Sequence, residues 1–385
     1  MKWAANRLVG LLTAIPFLAA LGTAHAQNAT WGTSPGTSDW NTNTNWTPQT
    51  VPSGTATFGS SNTTSITFSA NGGTGSIGEI LFNAGAPAYS FSFSGAFQAL
   101  TITGVGIVSN SSNISTFFNA AGGTLVFRNT SAAGNATIIN NSNGFTRFFN
   151  TSTAGNAVIT TNNAGTTVFS NASTGGNATI TNNGGSTVFF NTSTGGNATI
   201  TTLNGGLTQF FDTSTGGQAR FITNVGGVVD FSATIGPASD RQITAGSIEG
   251  IGDYRLGANT LTTGLNNLST EVSGTIADGG QAGSIGGSLI KVGTGTLTLS
   301  GTNTYTGGTT ISAGMLQLGN GGASGSIPGN VVDNGVFAIN RSDAFTFGGI
   351  ISGTGSFQQL GNGTTILSAA NSYSGAQRSR PACLM

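Results

Sequence analysis

Charge is the scarcest commodity in this chain. Asp, Glu, Lys and Arg make up 6% of its 385 residues, against about 25% in an ordinary soluble domain. The 11 basic and 11 acidic residues cancel, so no basic surplus exists to neutralise phosphates and no nucleic-acid partner is expected. Glutamate occurs only at Glu79, Glu249 and Glu271, and lysine only at Lys2 and Lys291. Exposed helix faces are usually built from these residues, so a helical fold has almost no material. One cysteine, Cys383, excludes an intrachain disulfide. No proline lies between residues 88 and 236, which leaves strand ladders in that stretch uninterrupted. No run of 18 apolar residues exists to cross a membrane as a helix. What the chain does have is glycine, 63 residues of it, and a 37% apolar content. The glycines follow no three-residue period, which excludes collagen, and the apolar content is too high for disorder.

Residues 1–26 read as a secretory signal peptide. Lys2 and Arg7 supply a positive start, Leu8 to Leu21 an apolar stretch, and Ala24-His25-Ala26 a small-residue cleavage site. Cleavage would remove His25, the one histidine, and leave 9 basic against 11 acidic residues, a net charge of −2. A mature chain from Gln27 would then lack every histidine-dependent nucleophile and metal site.

Between residues 125 and 232 the chain repeats itself. Gly134-Asn135-Ala136 returns at Gly155, Gly176, Gly196 and Gly217 in steps of 21, 21, 20 and 21. A second series, Phe127, Phe148, Phe169, Phe189, Phe210 and Phe231, shortens by one residue at the same place. Each unit holds two short alternating segments, of the Ala178–Thr181 and Thr187–Asn191 types, separated by Asn-Asn-Gly and Ser-Thr-Gly clusters suited to turns. The phenylalanine is invariant while the position before it varies through Arg147, Val168, Val188 and Gln209. One face is therefore buried and the other wet. A single unit cannot bury its own Ile and Phe, but stacked units can. The pattern predicts an all-β, right-handed parallel β-helix of ~21 residues per coil, with 16 or 17 coils about 4.8 Å apart and a length near 80 Å. A β-sandwich or antiparallel barrel would call for hairpins at 8–12-residue spacing, and a propeller for units of about 40 residues.

Catalytic constellations are sparse. The acidic residues form no D-D, D-x-D or E-x-x-E pair; the densest stretch is Asp240-Arg241, Glu249 and Asp253-Tyr254-Arg255. A solvated turn with weak ion pairs accounts for it more simply than a glycosidase-type carboxylate pair. Asp212 and Asp230 continue turn and strand positions of the repeat. No catalytic, cofactor or metal residue is expected, and no cofactor. After each invariant phenylalanine, Phe149, Phe190 and Phe211 should point outward, with Ser170 between them, as an aromatic stripe that could meet a partner.

From residue 289 the sequence reads LIKVGTGTLTLSGTNTYTGGTTISAGMLQL. With Lys291, Gly293, Gly295, Leu297, Leu299, Gly301, Asn303, Tyr305, Gly307, Gly308, Thr310, Ile311, Gly314 and Leu316 in register, this resembles the passenger-associated transport repeat, or autotransporter-associated β-strand repeat. A weaker copy runs from Phe357 to Gly375, with Asn371 and Tyr373 matching Asn303 and Tyr305. Trp31 to Phe68 also looks like such proteins. The resemblance implies a parallel β-helical passenger of a Gram-negative autotransporter, served by the outer-membrane export machinery and delivered to the cell surface as a stalk or adhesin, where it would meet a surface glycan or protein. The family uses a C-terminal translocator barrel that this sequence does not show, and Ala376–Met385 departs from the repeat. A truncated or frameshifted product, retained in the periplasm, is the corresponding expectation. The expected organisation is a signal peptide over 1–26, an N-terminal β-helix segment over 27–110, tandem repeats over 111–235, transport repeats over 236–375 and an unrelated tail over 376–385. The competing functional class is a secreted β-helical polysaccharide lyase or glycoside hydrolase.

Overall fold

In a computed structural model of the chain, each unit of the tandem repeat closes as one coil of a parallel β-solenoid. The structure describes residues 26–69, 74–96 and 98–379; residues 1–25 of the expected signal peptide and Cys383 lie outside them. Two long sheets carry the architecture, one of 13 strands and one of 15. All pairings within them are parallel except at the first edge, where Trp46–Thr47 runs antiparallel to Ala29–Trp31. The described residues hold no α-helix, only one 3-10 turn at Asn43–Asn45.

The two repeating strands fall on different sheets. Phe145–Phe148, Thr166–Phe169, Ser186–Phe189 and Leu207–Asp212 stack in the 13-stranded sheet, with Phe148 opposite Phe169 and Phe169 opposite Phe189. Thr137–Asn140, Val158–Asn162, Thr179–Asn183 and Thr199–Thr202 stack in the 15-stranded sheet, with Ile138, Ile159, Ile180 and Ile200 in line. Both columns are fully buried. The phenylalanine rings lie 4.7–4.8 Å apart and within 3–8° of parallel from Phe127 to Phe210. That spacing is the strand-to-strand distance of the sheet itself. The backbone register therefore sets the ring separation, and it falls within the range of about 4.5–7 Å between centroids that stacked aromatic pairs favour.

A third side joins the two sheets. Gly106, Ala132, Thr153, Thr174, Thr194 and Thr215 form a column of single parallel bridges. From Gln242–Ala245 onward this side becomes a six-stranded sheet, entered through a 2.9 Å hydroxyl contact between Thr215 and Thr244. The 15-stranded sheet holds fewer strands than the 16 or 17 coils expected from length. Later coils are longer than the core repeat suggests: Arg220 pairs with Ser247 and Thr270 with Leu297, both wider steps than the one from Ile159 to Ile180.

Turns are held by polar ladders. Asn129, Asn150, Asn171, Asn191 and Asp212 all sit at φ between +55 and +59°, a left-handed conformation that asparagine and aspartate tolerate better than other non-glycine residues. The N–H of each donates to the side-chain oxygen of the next, at 3.0, 3.0, 3.1 and 2.8 Å. Asp212 ends the ladder as an acceptor and takes a second bond, at 3.2 Å, from Asn191 Nδ2. Asn171→Val should lower stability by about 2–3 kcal/mol, combining left-handed strain with a lost ladder bond. Asn171→Gly, spared the strain, should cost distinctly less in urea titration. The adjoining corner needs glycine: Gly176 has φ +59°, and an added Cβ would stand 2.8 Å from the Gly155 carbonyl oxygen.

Inside the coils runs a feature the sequence did not advertise. Asn119, Asn140, Thr161, Asn182 and Thr202 are fully buried and face Thr146, Thr167, Thr187 and Thr208, equally buried. Asn119 Nδ2 donates to Asn140 Oδ1 at 2.7 Å, Asn140 Nδ2 to Thr167 Oγ1 at 3.0 Å, and Thr187 Oγ1 to Asn182 Oδ1 at 2.7 Å. The core thus has an aromatic side and a hydrogen-bonded polar seam.

Candidate functional site

Phe149 and Phe190 directly follow strands Phe145–Phe148 and Ser186–Phe189 of the 13-stranded sheet, Phe211 lies within Leu207–Asp212, and all three are half-buried. Phe190 and Phe211 stack on one another at 5.0 Å and 16°. Phe149 stands apart from them, separated by the coil that carries Ser170, and the Arg128 guanidinium lies 4.7 Å from the centre of its ring. The facing surfaces of Phe190 and Phe211 therefore cover each other.

The densest acidic stretch is spread over two sheets. Glu249 lies in Ser247–Gly250 of the 15-stranded sheet and forms an ion pair with Arg220. Asp253 and Arg255 lie in Asp253–Arg255 of the 13-stranded sheet and pair with each other at 2.6 Å. Tyr254 between them turns inward; its hydroxyl donates to the Glu249 carbonyl at 2.7 Å and accepts the Glu249 N–H at 3.0 Å. Burial pushes its phenol well above the normal range, so it stays neutral. Asp212 and Asp230 differ in setting. Asp212 is exposed at its turn, whereas Asp230 is nearly buried and accepts the N–H groups of Ser232 and Gln281 at 2.9 and 2.8 Å.

One carboxylate pairing escaped the sequence. Gly250 stands opposite Val272, which sets Glu249 and Glu271 on neighbouring coils beside a shallow cleft of about 290 Å³ lined by Ser269, Thr270, Thr296 and Thr298. A full coil of chain separates them, which hid them from any short motif. Glu271 accepts from Ser300 Oγ and, at 2.8 Å, from Asn320 Nδ2. Among the described residues no group of three or more His, Cys, Asp and Glu gathers to hold a metal ion.

The third cluster is the repeat motif itself. Lys291 ends strand Ser288–Lys291 with its side chain inside the coil, 1% exposed. Its ammonium donates to the carbonyls of Val292, Gly293 and Ala313 at 2.7, 3.1 and 3.3 Å. Asn303 and Tyr305 are buried, and the Tyr305 hydroxyl meets Thr309 Oγ1 at 2.7 Å. In the second copy Gln359 Nε2 donates to the Gly361 carbonyl at 3.1 Å and the Tyr373 hydroxyl to Gln377 Oε1 at 3.1 Å. Gln359 thus takes the place of Lys291, and Gly361 and Gln377 those of Gly293 and Thr309. Of the glycines in the motif, Gly293, Gly308 and Gly314 have φ of +70, +90 and +68°. Leu297, Leu299, Ile311 and Leu316 line the core, while Gly295, Gly301 and Gly307 pass close to the backbone of the preceding coil.

The family model of the passenger-associated-transport-repeat matches residues 289–318 and 357–376. The chain carries two passenger-associated transport repeats. No curated protein and no solved structure matches it. The two transport repeats do not occupy the same sides of the solenoid. The first places Ser288–Lys291 in the six-stranded sheet and Thr296–Leu299 in the 15-stranded one. The second places Ser356–Gln359 in the 15-stranded sheet and Thr365–Leu367 in a two-stranded sheet with Phe345–Phe347. The step from Asn303 to Asn371 is longer than three coils, which take Thr296 only as far as its counterpart Ser356. The excess carries the second copy one side further round. The last described residues keep to the pattern, since Gln377–Ser379 pairs in parallel with Phe357–Gln359.

Burial pushes the Lys291 amine down to about 8 from its usual 10.5. Below the lower value both folded and unfolded chains carry the proton, and the folded one bears the cost of desolvating it. Between pH 8 and 10.5 the unfolded chain still holds a proton the folded chain has released. Stability should therefore rise with pH across that window, by at most about 1.4 kcal/mol per unit. Urea midpoints measured from pH 7 to 10.5 check this; Lys291→Met should flatten the rise.

Proposed function

We propose that this protein is an exported, surface-delivered autotransporter passenger, non-catalytic, acting as a stalk or adhesin. The observation that carries the reading is the pair of transport repeats built into one continuous parallel solenoid. A coil-by-coil stack suits a chain that folds as it emerges from a pore, because each new coil needs only the one before it. In this reading the stripe of Phe149, Phe190 and Phe211 meets a glycan or protein of a host or neighbouring cell. The experiment is protease shaving of intact producing cells, with fractionation. Loss of the protein without cell lysis supports surface delivery; full protection of the protein in intact cells, with release only on outer-membrane rupture, refutes it and points to periplasmic retention.

A polysaccharide lyase or hydrolase is the second reading, favoured by Glu249 and Glu271 on neighbouring coils. Release of reducing ends or unsaturated sugars from a polysaccharide panel, abolished in Glu271→Gln, would establish it against the stalk.

A further inference from the structure

Each transport repeat lies where a parallel sheet stops. The 13-stranded sheet ends with Thr275–Ala277 and the six-stranded sheet with Ile351–Ser352. A residue of a last strand turns an N–H and a C=O toward a neighbour that does not exist. In these two strands the residues concerned, Ile276 and Ile351, are fully buried, so water cannot serve them and the unmet groups would be costly.

Both are served by the repeat. Asn303 Oδ1 accepts the Ile276 N–H at 2.9 Å, and the next residue, Thr304, donates its N–H to the Ile276 carbonyl at 2.8 Å. In the second copy Asn371 Oδ1 accepts the Ile351 N–H at 2.7 Å, and Ser372 donates to the Ile351 carbonyl at 2.9 Å. The asparagine side chain imitates the carbonyl of an absent strand, and the following amide imitates its N–H. Its own Nδ2 is tied in turn, to the Ser326 carbonyl at 2.9 Å in the first copy and the Ala369 carbonyl at 2.9 Å in the second. The tyrosine that follows fastens the corner, Tyr305 to Thr309 and Tyr373 to Gln377.

We propose that Asn303 and Asn371 are edge-capping residues, and that the transport repeat is the device by which this solenoid ends one sheet and continues on those that remain. Two points separate this from ordinary turn structure. The copies sit on different sides of the coil yet cap in the same way, so the role belongs to the motif and not to a side. Each cap also closes a different sheet, at that sheet's final strand. The role conferred is satisfaction of a buried edge: without the asparagine the Ile276 and Ile351 N–H groups would lie out of reach of water with no partner. It holds wherever the protein is delivered, so its failure and that of the passenger reading are distinguishable.

The test is residue-resolved hydrogen exchange on the full chain. In Asn303→Val the Ile276 amide should exchange about 100-fold faster, as expected for one buried bond lost, with Ile351 unchanged. In Asn371→Val the effect should move to Ile351 and spare Ile276. Asn303→Asp keeps the acceptor while replacing the Nδ2 donor that faces Ser326 with a buried carboxyl oxygen, and in the folded variant should retain most of the Ile276 protection. The proposal is overturned if Ile276 stays protected in Asn303→Val, or if either single valine variant speeds both amides alike. Should Asn303→Val fail to fold, Asn371→Val decides alone. Faster exchange at Ile351 against an unchanged Phe148 amide supports the cap, and equal change at both refutes it.

Discussion

Phe189→Ala is expected to lower stability by about 3–5 kcal/mol, the range for removing a fully buried aromatic side chain without collapse of the site. Collapse is difficult here. Phe189 is sandwiched between Phe169 at 4.8 Å and Phe210 at 4.7 Å, and both rings are held at that separation by their own strands. The backbone spacing that builds the stack also prevents its neighbours from closing the gap. The loss should be local, because each coil is coupled chiefly to the coils next to it. Urea unfolding should show a lower midpoint or a broadened, two-stage transition as coils on either side uncouple. A loss below about 1 kcal/mol would mean that the column is not the main source of cohesion between coils.

Asn140→Leu is the second large effect, with an expected loss of about 2–4 kcal/mol despite its greater apolarity. Asn140 is fully buried and makes three bonds: it accepts from Asn119 Nδ2 at 2.7 Å and Thr146 Oγ1 at 2.8 Å and donates to Thr167 Oγ1 at 3.0 Å. Leucine would remove bonds to three coils at once, leaving Asn119 Nδ2 to Thr146 alone and Thr167 to Thr161 alone. Asn140→Thr should cost under about 1 kcal/mol, since the next coil carries Thr161 at the same place, bonded to Thr167 at 2.9 Å. A leucine variant as stable as the threonine one, in paired urea titrations, would show that the seam is dispensable.

The two columns of Ile and Phe were legible because invariant bulk next to free variation has one physical meaning, and their common one-residue shortening excluded coincidence. The polar seam was not legible, although its residues stand two positions after the isoleucines, in phase with them. Asparagine and threonine are far commoner in turns and on wet faces, and nothing in Asn140 or Asn182 tells a buried amide from an exposed one. Only the coil brings Thr167 and Thr208 within bonding distance. The third side was hidden for a different reason. A column of single bridges through Thr153, Thr174 and Thr194 has no alternating strand to read. Asn303 and Tyr305 stood out as family residues, yet their work could not be inferred, since it depends on Ile276, a full coil earlier, lying in the last strand of its sheet.

The opening edge differs in kind from the edges closed by asparagine. Trp46–Thr47 crosses Ala29–Trp31 in the opposite direction, is two residues long, and is followed by Pro48, which has no N–H to offer. Trp31 and Trp46 pack edge to face at 5.0 Å. A polymer grown by parallel, in-register accretion needs a receptive strand at its growing tip, and this tip presents a short reversed one. A strand added in parallel to this edge of the 13-stranded sheet would first have to displace Trp46–Thr47 and the tryptophan contact that anchors it.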